Sequence, residues 1–235
     1  MEGQMFKQFG AGISEVFVSP QTGSAVAQSG QLDALLALEQ IGARRRFARD
    51  DEIYAEGDSA DCWFKVIAGT VRVCKLMADG RRQIAEFFFS GECFGLDDHS
   101  ERLFSAEAVG DVIVMRFPRA ATQRLIGETP DLARQMCNMT LRSLAHAQTR
   151  MLLLGRMNAS ERVASFLLEL AERRDSQRNL DMPMSRNDIA DYLGLTIETV
   201  CRTLSLFKHD GMIAIPSPHR IEFHDRDALE AVSQG

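Results

Sequence analysis

The sequence has no apolar stretch long enough to cross a membrane. No uninterrupted apolar run in its 235 residues approaches the ~18 residues that a membrane-spanning helix needs. The first thirty residues lack the basic start, apolar centre and small-residue cleavage site of a secretory signal. We therefore expect a cytoplasmic protein with no membrane partner.

Cysteine is scarce and is not clustered. The five cysteines are an odd number and are widely spaced, without a Cys-x-x-Cys pair: Cys62, Cys74, Cys93, Cys137 and Cys201. This pattern argues against a disulfide framework and against a compact zinc or iron–sulfur site. We expect most of these residues to be small buried hydrophobes.

Positive charge is in deficit, since the formal net charge is −6. Residues 158–235 carry nine Lys/Arg against thirteen Asp/Glu, a balance of −4, and residues 1–157 carry eighteen against twenty, a balance of −2. Nucleic-acid binding must therefore depend on a few well-placed cations and not on overall attraction. We expect any such binding to weaken steeply as the salt concentration rises.

Residues that would indicate an enzyme are not grouped together. A cupin-like metalloenzyme needs clustered His and carboxylate ligands, yet only His99 of the five histidines lies in the β-rich region. No nucleophile–base motif or phosphate-cradling glycine loop is apparent. We therefore expect neither a catalytic site nor a metal site.

The 45% hydrophobic content supports proper cores, and the patterning changes three times along the chain. We predict a flexible arm over 1–28, a sensor-like β-barrel domain over 29–129, a dimerisation helix over 130–157 and a DNA-binding domain over 158–235. The first domain begins with a short helix, SGQLDALLALEQIG. Short β-rich segments with frequent turn signals then indicate a small antiparallel barrel or sandwich, with a hairpin tip at Asp79-Gly80.

The long helix carries apolar residues on more than one side. A four–three spacing, typical of a coiled-coil seam, connects Ala133, Cys137, Thr140, Leu144, Ala147, Met151 and Leu154. Burial within one monomer is one explanation. Pairing with a second copy about a two-fold axis is the explanation that we favour.

The C-terminal segment has the signals of a helix-turn-helix. Ser185 is placed to cap one helix, Gly194 to end it, Thr196 to cap the next helix and Gly211 to end that one. The spacing of a small residue, a glycine and a buried aliphatic is typical of DNA-binding helix pairs. The segment MIAIPSPHRIEFH then predicts a two-stranded wing.

The second helix of the pair has two distinct faces. Its apolar stripe comprises Ile197, Val200, Leu204 and Phe207. Glu198, Cys201 and Arg202 project from the opposite side, where Arg can bond guanine and Glu can accept from cytosine. A plain intrahelical Glu–Arg pair is the alternative. Candidates for phosphate contacts are Ser185, Arg186, Thr196, Ser205, His219 and Arg220.

The segments MSRNDIADYLGLTIETVCRTL (184–204) and NASERVASFLLELAERR (158–174) resemble the Crp/Fnr superfamily of bacterial transcription regulators, in particular its FixK/Fnr branch. The resemblance extends from residue 29 onwards, through ECFGLDDH and MLLLG. It implies an α+β protein with an N-terminal antiparallel β-barrel of the jelly-roll, cyclic-nucleotide-binding type, a long dimerisation helix and a C-terminal winged helix-turn-helix.

The same resemblance implies an activator that binds double-stranded DNA as a homodimer, at a TTGA-N6-TCAA-like palindrome. The family's Glu-x-x-Ser-Arg motif matches at Glu198 and Arg202, but Cys201 replaces its serine. Oxidation of this thiol would place bulk and negative charge near DNA phosphates, so we hypothesise that it weakens binding. An inert thiol is the alternative. The resemblance also makes Asp79, Gly80 and Arg81 candidates for contact with RNA polymerase. A solvated turn is the alternative.

The cofactor motifs of the superfamily are missing or altered. Residues 1–61 contain no cysteine for an iron–sulfur cluster. The cyclic-nucleotide motif keeps Gly91-Glu92, but two residues separate Arg102 from Ser105. We therefore expect no cofactor. A ligand-gated regulator of the Crp type, binding haem or a cyclic nucleotide, remains the alternative.

Overall fold

The computed structural model describes residues 38, 40–97 and 99–235. The flexible arm predicted over 1–28 lies outside the described residues. Of the short helix predicted over 29–42, the described part includes Leu38, Gln40 and Ile41, and these three are helical.

The N-terminal half is built from eight strands. They are β1 Ala43–Phe47, β2 Glu52–Tyr54, β3 Cys62–Ala68, β4 Thr70–Leu76, β5 Arg82–Phe89, β6 Cys93–Phe94, β7 Ser105–Ala108 and β8 Val112–Pro118. Pairing is antiparallel in two four-stranded sheets, β1-β8-β3-β6 and β2-β7-β4-β5. Val66, Val71 and Val114 are fully buried between them. The predicted fold is confirmed, although the two sheets remain open instead of closing into a barrel.

The β4–β5 hairpin has the predicted tip. The Met77 amide donates to the Arg81 carbonyl at 2.8 Å, which closes the turn around Asp79 and Gly80. Gly80 has a φ of 84°, a backbone conformation that glycine adopts without a steric penalty.

Two helices connect the sheets to the C-terminal half. They are α1, Arg119–Glu128, and α2, Pro130–Arg156. Proline suits the first position of α2 because an N–H there would have no partner within the helix. Asp131 in the first turn and Arg156 in the last turn suit the helix dipole. The 27 residues of α2 span about 40 Å. Leu132 and Leu153 pack into the protein near either end of the helix.

The C-terminal half is a winged helix-turn-helix. Its elements are α3 Ala159–Arg173, β9 Asn179–Asp181, α4 Arg186–Leu193, α5 Ile197–His209, β10 Ile213–Ser217, β11 Arg220–Phe223 and α6 Arg226–Gln234. Asn158 and Glu161 form a capping box at the start of α3. The predicted wing is present as β10 and β11, with β9 as a third strand.

Candidate DNA-binding interface

The turn between α4 and α5 has the geometry that its residues predict. The Ser185 hydroxyl accepts from the Asp188 amide at 3.0 Å, and the Asp188 carboxylate accepts from the Ser185 amide, so the start of α4 is doubly capped. Gly194 ends α4 in the left-handed region, with a φ of 63°. The Thr196 hydroxyl then accepts from the Thr199 amide and starts α5.

The inner side of α5 is anchored in the domain core. Val200, Leu204 and Phe207 are buried, as predicted. Ile197 is 39% exposed, so its assignment to the buried stripe is wrong. Ile197 is the first residue of α5 and follows the turn directly, whereas the buried residues of α5 begin at Val200.

The outer side of α5 presents Glu198, Cys201 and Arg202, which are all exposed. The Glu198 carboxylate is held in its ionised form: its own backbone amide lowers its pKa, with further contributions from the Thr196 hydroxyl and from Arg202. No ion pair joins Glu198 to Arg202 among the residues that the structure describes, so the guanidinium is not committed to an intrahelical partner.

Arg186 approaches this face from the start of α4. Burial lowers the pKa of Arg186, and the nearby Cys201 thiol acts in the opposite direction. The Nη1 atom of Arg186 is buried and has no hydrogen-bond partner in the described part of the chain. Arg186 therefore lies within electrostatic range of Cys201, which the sequence alone did not indicate.

The three hydroxyl candidates for phosphate contact are engaged within the protein. Ser185 donates to the Asp188 carboxylate at 2.8 Å, and Ser205 donates to the Cys201 carbonyl at 2.8 Å. The Thr196 hydroxyl lies 3.1 Å from that of Thr199. Ser185 and Ser205 would have to exchange an internal hydrogen bond for one to DNA, whereas the Thr196 hydroxyl can accept from Thr199 and still donate to a phosphate.

The two wing candidates differ in their surroundings. Nδ1 of His219 lies 3.0 Å from the Met182 carbonyl oxygen, a contact that fixes the ring beside the start of α4. Arg220 is exposed, and its guanidinium is 3.7 Å from the Glu222 carboxylate in a loose ion pair. Arg220 is therefore the freer cation of the wing.

A polar cleft between the β domain and the winged domain was not predicted. It has a volume of about 220 Å³ and is lined by Arg49, Asp50, Arg72, Arg82, Val109, Pro183, Ser185, Asp188 and His219. Two of the candidates for phosphate contact, Ser185 and His219, thus face the β domain. One sequence signal was available, because Arg72 lies directly between Val71 and Val73 in strand β4, TVRVCKL.

The tip of the β4–β5 hairpin is exposed. Arg81 forms a 2.7 Å ion pair with Asp79, so the tip cation and anion satisfy each other. The flanking residues Leu76 and Met77 are 68% and 47% exposed.

Arg102, the arginine of the altered cyclic-nucleotide motif, lies in the interior of the β domain. To bind the phosphate of a cyclic nucleotide, its guanidinium would have to be free of other partners. The side chain is 1% exposed and forms an ion pair with Asp97 at 2.7 Å. The guanidinium donates to the carbonyls of Gly95 and Cys62 and lies 4.2 Å from the ring centroid of Tyr54. Both terminal nitrogens of this arginine are committed to internal contacts, whereas its buried Nε has no hydrogen-bond partner among the described residues.

The five cysteines divide between core and surface. Cys62 and Cys74 are buried and Cys93 is half-buried, whereas Cys137 and Cys201 are exposed. The expectation that most are buried is therefore wrong for the two on α2 and α5. In the described residues, no group of three or more His, Cys, Asp or Glu is placed to hold a metal ion. None of the described helices has the length and apolar character required to cross a membrane.

Comparison with known proteins agrees with this arrangement. Residues 161–232 match the model of the Crp-like helix-turn-helix domain, and residues 44–129 match that of the cyclic nucleotide-binding domain. The chain is 43% identical over 194 residues to the nitrogen fixation regulation protein FixK of Azorhizobium caulinodans, a match that covers 80% of this chain and 78% of that protein. The chain belongs to the Crp/Fnr superfamily of transcription regulators.

Within the superfamily, the chain is FixK-like. FixK of Bradyrhizobium diazoefficiens is 41% identical over 82% of this chain and 83% of its own length. The solved structure of FixK2 from Bradyrhizobium japonicum superimposes with a TM-score of 0.79 at 39% identity, over 82% of this chain and 97% of that one. The expectation that the protein is a regulator and not an enzyme is confirmed.

Proposed function

We propose that this FixK-like regulator is a cytoplasmic transcription activator that binds TTGA-N6-TCAA-like palindromes as a homodimer and needs no cofactor. The observation that carries the proposal is the exposure of Glu198, Cys201 and Arg202 on one side of a helix whose other side is anchored. A Rhizobium leguminosarum relative, a probable transcriptional activator, is 38% identical and supports the activator assignment.

Base reading follows from the chemistry of that face. Glu198 and Arg202 are four residues apart, one helical turn, so they can address neighbouring base pairs in the major groove. The ionised Glu198 can accept from a cytosine amino group, and Arg202 can donate to guanine O6 and N7. Arg220 on the wing, and Arg186 beside Cys201, are the cations best placed for phosphates.

The DNA-binding proposal can be tested by a gel shift against a TTGA-N6-TCAA duplex, without added ligand and under reducing conditions. We expect binding in the absence of ligand, with an affinity that falls steeply between 50 and about 200 mM salt. A duplex with both half-sites scrambled is the control. Equal binding to both duplexes would contradict sequence-specific recognition.

The homodimer proposal is supported by the surface of α2. Cys137, Thr140, Leu144, Ala147 and Met151 of the four–three spacing are all exposed in the single chain, and Leu144 and Met151 are 54% and 73% exposed. A parallel seam brings equivalent positions of two copies opposite each other and covers this apolar surface.

Cys137 provides a test of this seam. In a Cys201→Ser background, a short bis-maleimide should link two chains through Cys137. The matched Cys137→Ser/Cys201→Ser variant should remain unlinked. Absence of the covalent dimer, together with a monomer mass in sedimentation, would contradict the proposal.

Independence from a cofactor is supported by Arg102. Its guanidinium already has carbonyl, carboxylate and aromatic partners inside the β domain. A cyclic nucleotide phosphate would have to displace them. We expect no change in DNA affinity on addition of cyclic AMP and no Soret band in the purified protein. Either change would favour a ligand-gated regulator instead.

Redox modulation is proposed at Cys201. The thiol is exposed, precedes Arg202 in α5 and lies near Arg186. Oxidation to a sulfinate would direct these two cations towards the new anion and away from DNA. Peroxide should weaken operator binding by the wild type but not by Cys201→Ser. Equal loss in both proteins would contradict the idea.

We also propose that the β4–β5 hairpin tip contacts RNA polymerase through Asp79, Gly80 and Arg81. The tip projects from the sheet and is exposed, with two apolar neighbours. Asp79→Ala/Arg81→Ala should leave operator affinity unchanged and reduce transcription in vitro from a promoter carrying the palindrome. Unchanged transcription would contradict this contact.

A further inference from the structure

Strand β5 and helix α4 are joined by a series of polar contacts that cross from the β domain to the winged domain. Arg82 on β5 donates to Asp191 at 2.9 Å and to Asp188 at 2.5 Å. The side-chain amide of Gln83 donates to the backbone carbonyl of Asp191 at 2.6 Å. Arg72 on the adjacent strand lies 3.4 Å from the same Asp188 carboxylate.

An apolar contact and a third arginine complete this interface. The Tyr192 ring of α4 lies 5.1 Å from Phe87 of β5, centroid to centroid. Arg150 of α2 donates to the carbonyls of Ile84 and Tyr192, and its guanidinium lies 3.6 Å from the Tyr192 ring centroid. Helix α4 is therefore held against the β domain through Asp188, Asp191 and Tyr192, by contacts made within one chain.

We propose that Arg82 and Asp191 are positioning residues for DNA recognition, which hold the reading helix α5 at one orientation relative to the β domain without a ligand. The inference rests on the function proposed above and adds to it the means by which the orientation is set. Neither residue lies on the outer side of α5, so both act through α4.

Only a few residues of α4 and the turn separate the Arg82 contact at Asp191 from the start of α5. Asp191 lies three residues before Gly194, and α4 and α5 pack on each other across the tight turn. Because α4 and α5 behave as one body, an anchor on α4 fixes the direction in which Glu198 and Arg202 project. In a dimer, the two reading helices then have one fixed separation, and a fixed separation selects one spacing between half-sites.

The charged side chains that join β4 and β5 to α4 have low solvent exposure, which strengthens their hold on α4. Asp188 and Arg72 are 5% and 9% exposed at their side chains, and Arg82 is 25% exposed. Salt screens such pairs less than surface pairs. Removal of Arg82 leaves the partly buried Asp188 with Arg72 alone as its cation, and removal of the Asp191 charge takes away one of the two α4 carboxylates that hold Arg82, so each change weakens the contact between the two domains.

The test compares Arg82→Gln and Asp191→Asn with Arg81→Gln, a matched control on the same hairpin whose ion pair to Asp79 is local. Fluorescence anisotropy is measured on TTGA palindromes with N5, N6 and N7 spacers and on a single half-site. We expect Arg82→Gln and Asp191→Asn to bind the N6 palindrome about tenfold more weakly, with unchanged half-site binding and a reduced preference for N6. The Arg82→Gln/Asp191→Asn double variant should be no weaker than either single variant.

A second readout requires no DNA. Cys74 is 3% exposed and belongs to the apolar cluster that the two domains share. In a Cys137→Ser/Cys201→Ser background, maleimide labelling of Cys74 should become about tenfold faster in Arg82→Gln, because a tenfold larger open population exposes the thiol tenfold more often. Arg81→Gln should label at the wild-type rate, and circular dichroism should show that all variants are folded.

The outcomes separate this inference from the function on which it rests. If the wild-type protein binds the N5, N6 and N7 palindromes with equal affinity, both the proposed palindrome and the positioning role are overturned. The positioning role alone is overturned by a different result. In that case the wild type prefers N6, Arg82→Gln and Asp191→Asn keep this preference, and Cys74 is labelled as slowly in them as in Arg81→Gln.

Discussion

The imidazole of His146 lies between two carboxylates, 3.0 Å from Glu86 on β5 and 2.7 Å from Glu169 on α3. Hydrogen bonds to Glu169 and Glu86 raise the pKa of His146 to about 10. Burial raises the pKa of Glu86, but His146, Arg173 and Arg150 outweigh that effect and lower it to about 2. The long helix, the β domain and the winged domain thus meet at one ionic cluster.

This cluster predicts a stability that decreases in alkali. A group whose pKa is higher in the folded state stabilises the protein fully below its unfolded pKa and loses that effect as the pH rises through the folded value. The contribution of His146 should therefore be present at pH 6.5 and lost towards pH 10. We expect His146→Gln to lower the free energy of unfolding by roughly 3 kcal/mol at pH 6.5, less than the full shift implies because the ring is partly exposed.

Urea unfolding of wild type and His146→Gln across this pH range measures the effect. The gap between the two proteins should close as the pH approaches 10. A gap that stays constant with pH would show that the imidazole acts by packing and not by charge.

Arg162 predicts a second stability effect, at the junction of the three helices α2, α3 and α4. Its guanidinium donates to the carbonyls of Met157 and Leu154, each at 2.9 Å, and of Leu193 at 3.1 Å. Arg162→Ala leaves these helix-end carbonyls without their donor and should cost roughly 2–4 kcal/mol. Arg162→Lys, which cannot reach all three, should recover only part of this loss in urea unfolding. Full recovery by lysine would contradict the role of the forked geometry.

The helix-turn-helix was predictable because its signals are local. The caps Ser185 and Thr196, and the left-handed Gly194, specify the helix ends within a few residues of chain, and the apolar spacing specifies the inner face. The same rule failed at Ile197, because periodicity does not show where the neighbouring helix ends. Exposure of a residue at a helix terminus depends on tertiary packing.

The contacts between domains were not predictable in this way. Arg72 and Arg82 are 116 and 106 residues from Asp188, and neither spacing nor composition connects them. The capping role of Asp188 at the start of α4 accounts for only one of its carboxylate oxygens, and the other oxygen binds the two arginines. Whether the two sheets close into a barrel could likewise not be predicted from the sequence. Alternation specifies which face of a strand is buried but not which strand edges pair.

The turn glycine predicts a modest and specific cost. A Cβ at Gly194 would meet only the Arg162 guanidinium, at 3.8 Å, so steric clash is not the obstacle. The obstacle is the φ of 63°, which L-residues adopt at a cost of about 1–2 kcal/mol. Gly194→Ala should lose about this much in thermal or urea unfolding, and Gly194→Asn should lose less because asparagine tolerates this conformation. Equal loss in both variants would point to a clash instead.

Arg202 and Arg220 should differ in how they affect DNA binding. Arg202 projects from the reading face, and its loss should remove discrimination at one base pair of each half-site, about 1–3 kcal/mol per contact. Arg220 is on the wing, and its loss should weaken binding to every sequence alike and lower the slope of log affinity against log salt by about 1 per contact. Anisotropy titrations of Arg202→Ala and Arg220→Ala against the palindrome and a single-base variant, at several salt concentrations, separate the two effects. A lost phosphate contact weakens binding to both duplexes equally, whereas a lost base contact does not. If Arg202→Ala keeps the wild-type ratio of affinities for the two duplexes, α5 is therefore not the helix that reads the bases.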